Sequence, residues 1–304
     1  MLRVYFGHHK CASTWIWRIL ASVCREAGLR HSLVLDKLTP SQTGPLTDYH
    51  STFSREELGP YIESTDYDVI SCITADRAQA CSLGDVLGIH VVRDPRDVVV
   101  SAYFSHRNSH PVDALPHMAA HRERLRSVPK EDGLFLEMEF SRRELLDLAT
   151  WDYHQPHVLE LKMEELTAAP YDAFLEIFSF LNLLESDSPV RMKDRMERMA
   201  RIGINRLSWR HPALAPLRSQ TAITGEQILG HVFANRFEKK AGGRTTGMEN
   251  ADSHYRKGVP GDWVNHFTPA HVRAFKDQFG DALIAMGYET DPDWSLPVPT
   301  PVEA

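Results

Sequence analysis

The chain has 304 residues, of which 42% are hydrophobic and 25% charged, with a formal net charge of −7. That length buries a large core as one α/β domain with insertions or two modest domains. The acidic balance excludes a general binder of nucleic acid or anionic membrane, either of which needs a net basic surface. The four cysteines, Cys11, Cys24, Cys72 and Cys81, lie singly with no zinc-like spacing, which reads as a reduced, cytoplasmic protein.

Residues 2–6 (LRVYF) form an apolar run that reaches polar His8, His9 and Lys10 too soon for a signal-peptide core or a membrane span. The run reads as a strand, 7–13 as a loop, and 14–27 as a helix with apolar residues at helical spacing. Strands are expected at 31–35, 68–74 (DVISCIT) and 88–92 (GIHVV). Asp94-Pro95 then ends the strand, and Pro95 suits the first turn of a helix. A further strand at 158–161 precedes an amphipathic helix at 171–184. This alternation predicts an α/β fold with a central parallel sheet and ligands at the carboxyl ends of its strands. Two stretches, 39–54 and 236–260, read as long polar loops of the kind that act as mobile lids. The segment 291–304 reads as a Pro-rich tail.

The loop Gly7-His-His-Lys-Cys-Ala-Ser-Thr-Trp15 joins a strand to a helix, where backbone N–H groups and a helix dipole can hold an anion. It lacks the spacing of a nucleoside-triphosphate loop, so a kinase or ATPase is disfavoured. A plain tight turn is the competing reading of the loop alone.

Four ordered segments, from residue 5 to residue 268, resemble the sulfotransferases that use 3′-phosphoadenosine 5′-phosphosulfate (PAPS). The loop is similar to that family's P-K-S-G-T-T-W, with Lys10, Thr14 and Trp15 matching outright. Arg93-Asp-Pro-Arg-Asp-Val-Val-Val-Ser101 resembles its 3′-phosphate segment, R-N-P-R-D-V-x-V-S. Residues 158–166 (VLELKMEEL) resemble a V-L-x-L-x-Y-E-D-L strand. Phe237-Glu-Lys and the run from Ser253 to Thr268, which holds Arg256-Lys257-Gly258, resemble the C-terminal donor region.

The resemblance implies a P-loop-like three-layer sandwich, with 1–290 as a single sulfotransferase domain. It implies that Lys10, Cys11, Ala12, Ser13, Thr14 and Trp15 wrap the 5′-phosphosulfate, and that Arg93, Ser101, Arg256, Lys257 and Gly258 hold the 3′-phosphate. Trp15 and Phe237 are expected at the adenine. Lys10 would assist the leaving oxygen, and 3′-phosphoadenosine 5′-phosphate (PAP) would be the product. Cationic side chains supply the charge, so no metal is required. The expected partner is a small-molecule acceptor with a hydroxyl or amine, with no nucleic acid and no membrane.

Three departures stand out. The family's K-T-H base is replaced by Ile73-Thr-Ala-Asp76, which makes Asp76 the first substitute base, with Asp36, His8, His9, His106 and His110 as others. A helix cap is the competing reading of Asp76. Met163 stands where the family has a Tyr on the adenine, and Cys11-Ala12 replaces Ser-Gly. The family's dimer motif is not kept, which leaves the oligomeric state open. A nucleotide-binding protein of this fold without turnover is the alternative function.

Overall fold

The computed structural model describes residues 1–34, 48–50, 66–75, 77, 83–112, 116–185, 192–211, 216–217 and 223–296. In chain order the strands are β1 (Leu2–Gly7), β2 (His31–Val34), β3 (Asp48–His50), β4 (Val69–Cys72), β5 (Val86–Val92) and β6 (Val158–Lys162). The helices are α1 (Ser13–Ala27), α2 (Pro95–Phe104), α3 (Pro116–Arg126), α4 (Lys130–Phe140), α5 (Arg142–Ala149), α6 (Met163–Ala168), α7 (Pro170–Phe180), α8 (Met192–Arg210), α9 (Gly225–Ala234), α10 (Phe237–Lys240) and α11 (Pro269–Ala285). None of the described helices is long and apolar enough to cross a membrane.

The chain divides into two compact units. The first comprises Met1–Val92 and His154–Lys240, the second Arg93–Tyr153 and Ala241–Ala304.

In the first unit the strands form a six-stranded parallel sheet of order β3-β2-β4-β1-β5-β6, the parallel α/β architecture expected from the alternating pattern. Val4, Tyr5 and Phe6 of β1, Ile70 of β4 and Ile89 and Val91 of β5 are buried to 1% or less, as strands covered on both faces require. Helix α1 turns Ile16, Ile19, Leu20 and Val23 into the core, where Phe174, Ile177 and Phe178 of α7 and Ile228 and Val232 of α9 meet them. The order places β1 between strands that diverge to opposite sides, so its carboxyl end is the switch point where such sheets open a crevice.

The helix expected to reach residue 184 stops at Phe180. Asn182 takes a left-handed conformation, with φ of 52°, which asparagine tolerates. The freed Leu183 and Leu184 then pair with Ile223, whose N–H donates to the Leu183 carbonyl at 2.6 Å.

The second unit is helical. Its α2 and α4 approach closely because Gly133 leaves room for the Tyr103 ring: a Cβ there would lie 2.6 Å from a ring carbon. Trp294, in the Pro-rich segment, is buried edge-on against Trp263 with ring centroids 5.8 Å apart.

Candidate active site

Strand β1 ends at Gly7, where a side chain would meet the Tyr5 hydroxyl at 2.6 Å. The chain then turns through two non-glycine residues in the left-handed region, Lys10 (φ 64°) and Ala12 (φ 57°). Such residues cost roughly 1–2 kcal/mol each, and strain of this kind persists where a loop must present its backbone to a ligand.

Ala12 is the residue preceding α1. It offers no side-chain cap, and the first turn of the 15-residue helix holds no acidic residue. The Ala12 carbonyl accepts from the N–H groups of Trp15 and Ile16 at 2.9 and 3.1 Å. The positive helix end therefore stands behind Lys10, Ser13 and Thr14, all half-buried, with no protein anion from the helix itself to neutralise it.

Cys11 is fully buried, its thiol 3.6 Å from the His9 carbonyl, so it anchors the loop. Trp15 packs edge-on against Phe174 with centroids 5.2 Å apart, and its indole N–H is buried without a partner among the described residues. Met163 is partly buried against the same core. Phe237, the first residue of α10, is half-buried.

The segment from Arg93 to Ser101, expected at the 3′-phosphate, opens the second unit. Asp94 caps α2, accepting from the Arg96 N–H at 2.9 Å with Pro95 following it. Arg96 is structural: it pairs with Asp94 at 2.7 Å and Glu289 at 2.5 Å, between the rings of Trp263 and Trp294. Arg93 is buried, 3.7 Å from Asp97.

Asp97 also accepts from the N–H groups of Gly261 (2.6 Å) and Trp263 (2.9 Å). Burial pushes its carboxyl above the ordinary range, against the Arg93 guanidinium and those two donors. Half-buried Ser101 follows Asp97 by one helical turn on the same face, and Phe104, a turn further on, lies under Arg256 at 4.6 Å. The face of α2 that carries Ser101 is thus the face that the 256–263 segment lies against.

Sequence reasoning missed the acid at the centre of that segment. Asp262 is buried and accepts from Arg256 (2.5 Å), Lys257 (2.5 Å), Asn265 (3.0 Å) and His266 (3.1 Å). Burial opposes its ionisation, yet the hydrogen bonds from Lys257, Arg256 and Asn265 prevail and hold its carboxyl below the ordinary range. Arg256 also pairs with Glu249 at 2.6 Å. Gly258 is exposed, with φ of 70°. The signal for Asp262 was faint: an acid a few residues beyond an Arg-Lys pair, read only as part of a motif.

Of the base candidates, Asp36 and Asp76 lie outside the described residues. His106 is buried and shares the buried Glu137 carboxylate with His121, at 3.0 and 2.9 Å; Ser141 donates to the same carboxylate. Burial opposes ionisation of Glu137, but its histidine and serine donors hold it down to about 2. The imidazole of His110 lies 2.9 Å from the carbonyl of Pro111. His9 is half-buried, and the buried His8 lies 2.7 Å, Nε2 to Nε2, from His90.

Residues 85–201 match the family model of the sulfotransferase domain. Comparison with curated proteins gives no match. Among solved structures, mouse sulfotransferase SULT7A1 complexed with PAP is similar with a TM-score of 0.49 and 16% identity, over 93% of this chain and 83% of that one. Retinol dehydratase is similar too. Its complex with androsterone and inactive cofactor PAP gives 0.44 and 15% over 97% and 82%, and its complex with retinol and PAP gives 0.47 and 14% over 97% and 83%.

Proposed function

We propose, from a sulfotransferase-domain match that takes in Arg93 and Ser101, that the chain moves a sulfuryl group from PAPS to a hydroxyl or amine of a small molecule, leaving PAP. That match is the observation that carries the reading. The strained Lys10 loop and the uncapped start of α1 support it, because together they are built for an anion at the carboxyl end of the central strand.

In this reading the N–H groups of Ser13 and Thr14 and the Lys10 ammonium hold the 5′-phosphosulfate. Sulfuryl transfer passes through a loose transition state, so stabilising the departing phosphate oxygen matters most, and Lys10 supplies a cation there. Arg93, Ser101, Arg256, Lys257 and the Gly258 backbone take the 3′-phosphate, the group that separates PAPS from common nucleotides. Trp15 and Phe237 flank the adenine. Residues 1–290 act as one sulfotransferase domain.

Two measurements test this. PAP should raise the melting temperature more than AMP or ATP does, since only a 3′-phosphate site prefers it. With labelled PAPS and a pool of phenols, alcohols, amines and saccharides, transfer should occur and should vanish in Lys10→Ala. Binding of PAP without transfer to any acceptor would favour a nucleotide-binding protein instead.

A further inference from the structure

Strand β5 is VLGIHVV, and its single polar side chain, His90, is fully buried. Its in-register neighbour on β6 is Glu160, so the two side chains share one face of the sheet. They meet with His90 Nδ1 2.5 Å from Glu160 Oε2. On its other side His90 Nε2 lies 2.7 Å from Nε2 of His8, the first residue beyond β1, with the rings edge-to-face at 72°. A purely structural core has no need of this line. Apolar residues of the same shape would serve at least as well, because buried polar groups must recover their desolvation cost.

The hydrogen-bond directions follow from the chemistry. Glu160, at 23% exposure, accepts from His90, which must therefore carry its proton on Nδ1. Burial lowers the His90 pKa to about 3, so the ring is neutral and Nε2 is an acceptor. His8 must then donate through Nε2–H. It too is neutral, lowered first by burial and then by His90, and its lone pair sits on Nδ1. Tyr5, held protonated by burial, the thiol of Cys11, and His9 and Lys10 of the same loop are titratable groups of this region.

We infer that Glu160, His90 and His8 form a proton relay that makes His8 Nδ1 the base of the transfer, with His90 and Glu160 as positioning residues. This rests on the sulfotransferase reading. His8 is two residues from Lys10, a Cα separation of at most about 7 Å, and so belongs to the same loop as the leaving-group cation. As the acceptor oxygen bonds to sulfur, its O–H bond breaks and the proton passes to His8 Nδ1. The sulfur–oxygen bond to the donor phosphate breaks, and its electron pair leaves with PAP. The Nε2 proton of His8 moves to His90 Nε2, and the Nδ1 proton of His90 to Glu160. Both imidazoles end neutral, so no buried ring keeps a charge.

The test uses the full chain labelled with ¹⁵N-histidine. At neutral pH, long-range ¹H–¹⁵N spectra should show a single tautomer for each ring, Nδ1–H for His90 and Nε2–H for His8, and Glu160→Gln should replace both patterns with mixtures. In transfer from PAPS to the acceptor pool, His8→Ala should lose about 10²–10⁴-fold in kcat while its affinity for PAP stays within about threefold, and imidazole should restore part of the loss. Glu160→Gln should lose at least tenfold in kcat with an unchanged KM for PAPS. Unchanged transfer by His8→Ala, or the opposite tautomers, would overturn the relay and leave the sulfotransferase reading standing. Loss of PAP binding in His8→Ala would make His8 a loop support and overturn the relay as well. No transfer by the unaltered chain would sink both. If His8→Ala fails to fold, the partly exposed Glu160→Gln and the spectra decide the matter.

Discussion

Ala12 occupies a conformation that glycine adopts without cost, at the position where the resembled loop has glycine. Ala12→Gly should therefore raise the stability of the ligand-free chain by about 1 kcal/mol, read as a higher melting temperature. An unchanged or lower value would mean that the left-handed turn is not strained. The anionic partners of Arg256 give a second test. Glu249 holds one arm of that guanidinium from the exposed rim. Glu249→Gln removes a competitor of the 3′-phosphate and should tighten PAP binding severalfold by calorimetry at low salt. Weaker binding would show that Glu249 positions Arg256 rather than competes for it. The acids that pair with these cations were not legible in the sequence. Lys10, Arg93 and Ser101 stand within short motifs, whereas Asp97 acts through backbone groups 164 and 166 positions away in sequence. The His8, His90 and Glu160 line likewise draws one residue from each of three strand regions, a relation created only by the sheet order.

Helix α1 begins without a cap although Thr224 and Thr268 provide full capping boxes for α9 and α11. Other helices, α4 to α7, also start without a side-chain cap, so what sets α1 apart is its place at the carboxyl end of β1 together with a first turn that holds no acidic residue. Ser13→Asp places a carboxylate in that first turn. It should stabilise the empty chain by about 0.5 kcal/mol through the helix dipole and reduce PAP affinity at least tenfold. Retained affinity in a thermal-shift titration would remove the helix end from the donor site. At this scale β1, β2, β4 and β5 were easy to read, since buried parallel strands are near-continuous apolar runs bounded by polar turns, whereas β3 falls inside 39–54, a stretch that reads as a polar loop. The helices α3 to α5 were not foreseen. Their buried faces include His121 and Glu137, so the apolar period that marks a helix is broken by residues that sequence alone assigns to solvent.

For the whole molecule, three histidines whose pKa burial lowers, His8, His31 and His90, shape the response to acid. His31 and His90 are both lowered by burial to about 3, and His8 is also well below the ordinary value. The unfolded chain binds protons at these positions near pH 6.5 and the folded chain does not, so their contribution is complete above that pH and declines as pH falls toward 3. The decline is up to about 1.4 kcal/mol per pH unit for each ring. Glu26 and Glu137, both held at about 2, add a second loss below about pH 4.5. For Glu26, burial is outweighed by hydrogen bonds from His231 and Arg206. Urea midpoints measured from pH 7.5 to 4 should fall steadily before the carboxylate range is reached, and His31→Gln should flatten that slope by about one proton. A flat profile down to pH 5 would mean that the rings titrate in the folded chain.

The carboxylates around the expected 3′-phosphate cations bear on how that ligand would leave. Arg93 faces Asp97, Lys257 faces Asp262, and Arg256 faces both Asp262 and Glu249. Among the described residues these three cations face three acids, so on the proposed reading a phosphate would enter by exchange of partners rather than by falling into bare positive charge. The affinity should then vary less steeply with ionic strength than the number of cations implies. On the proposed reading, each cation would have a carboxylate within reach to close upon as PAP left, and the product would dissociate without stranding a charge behind it.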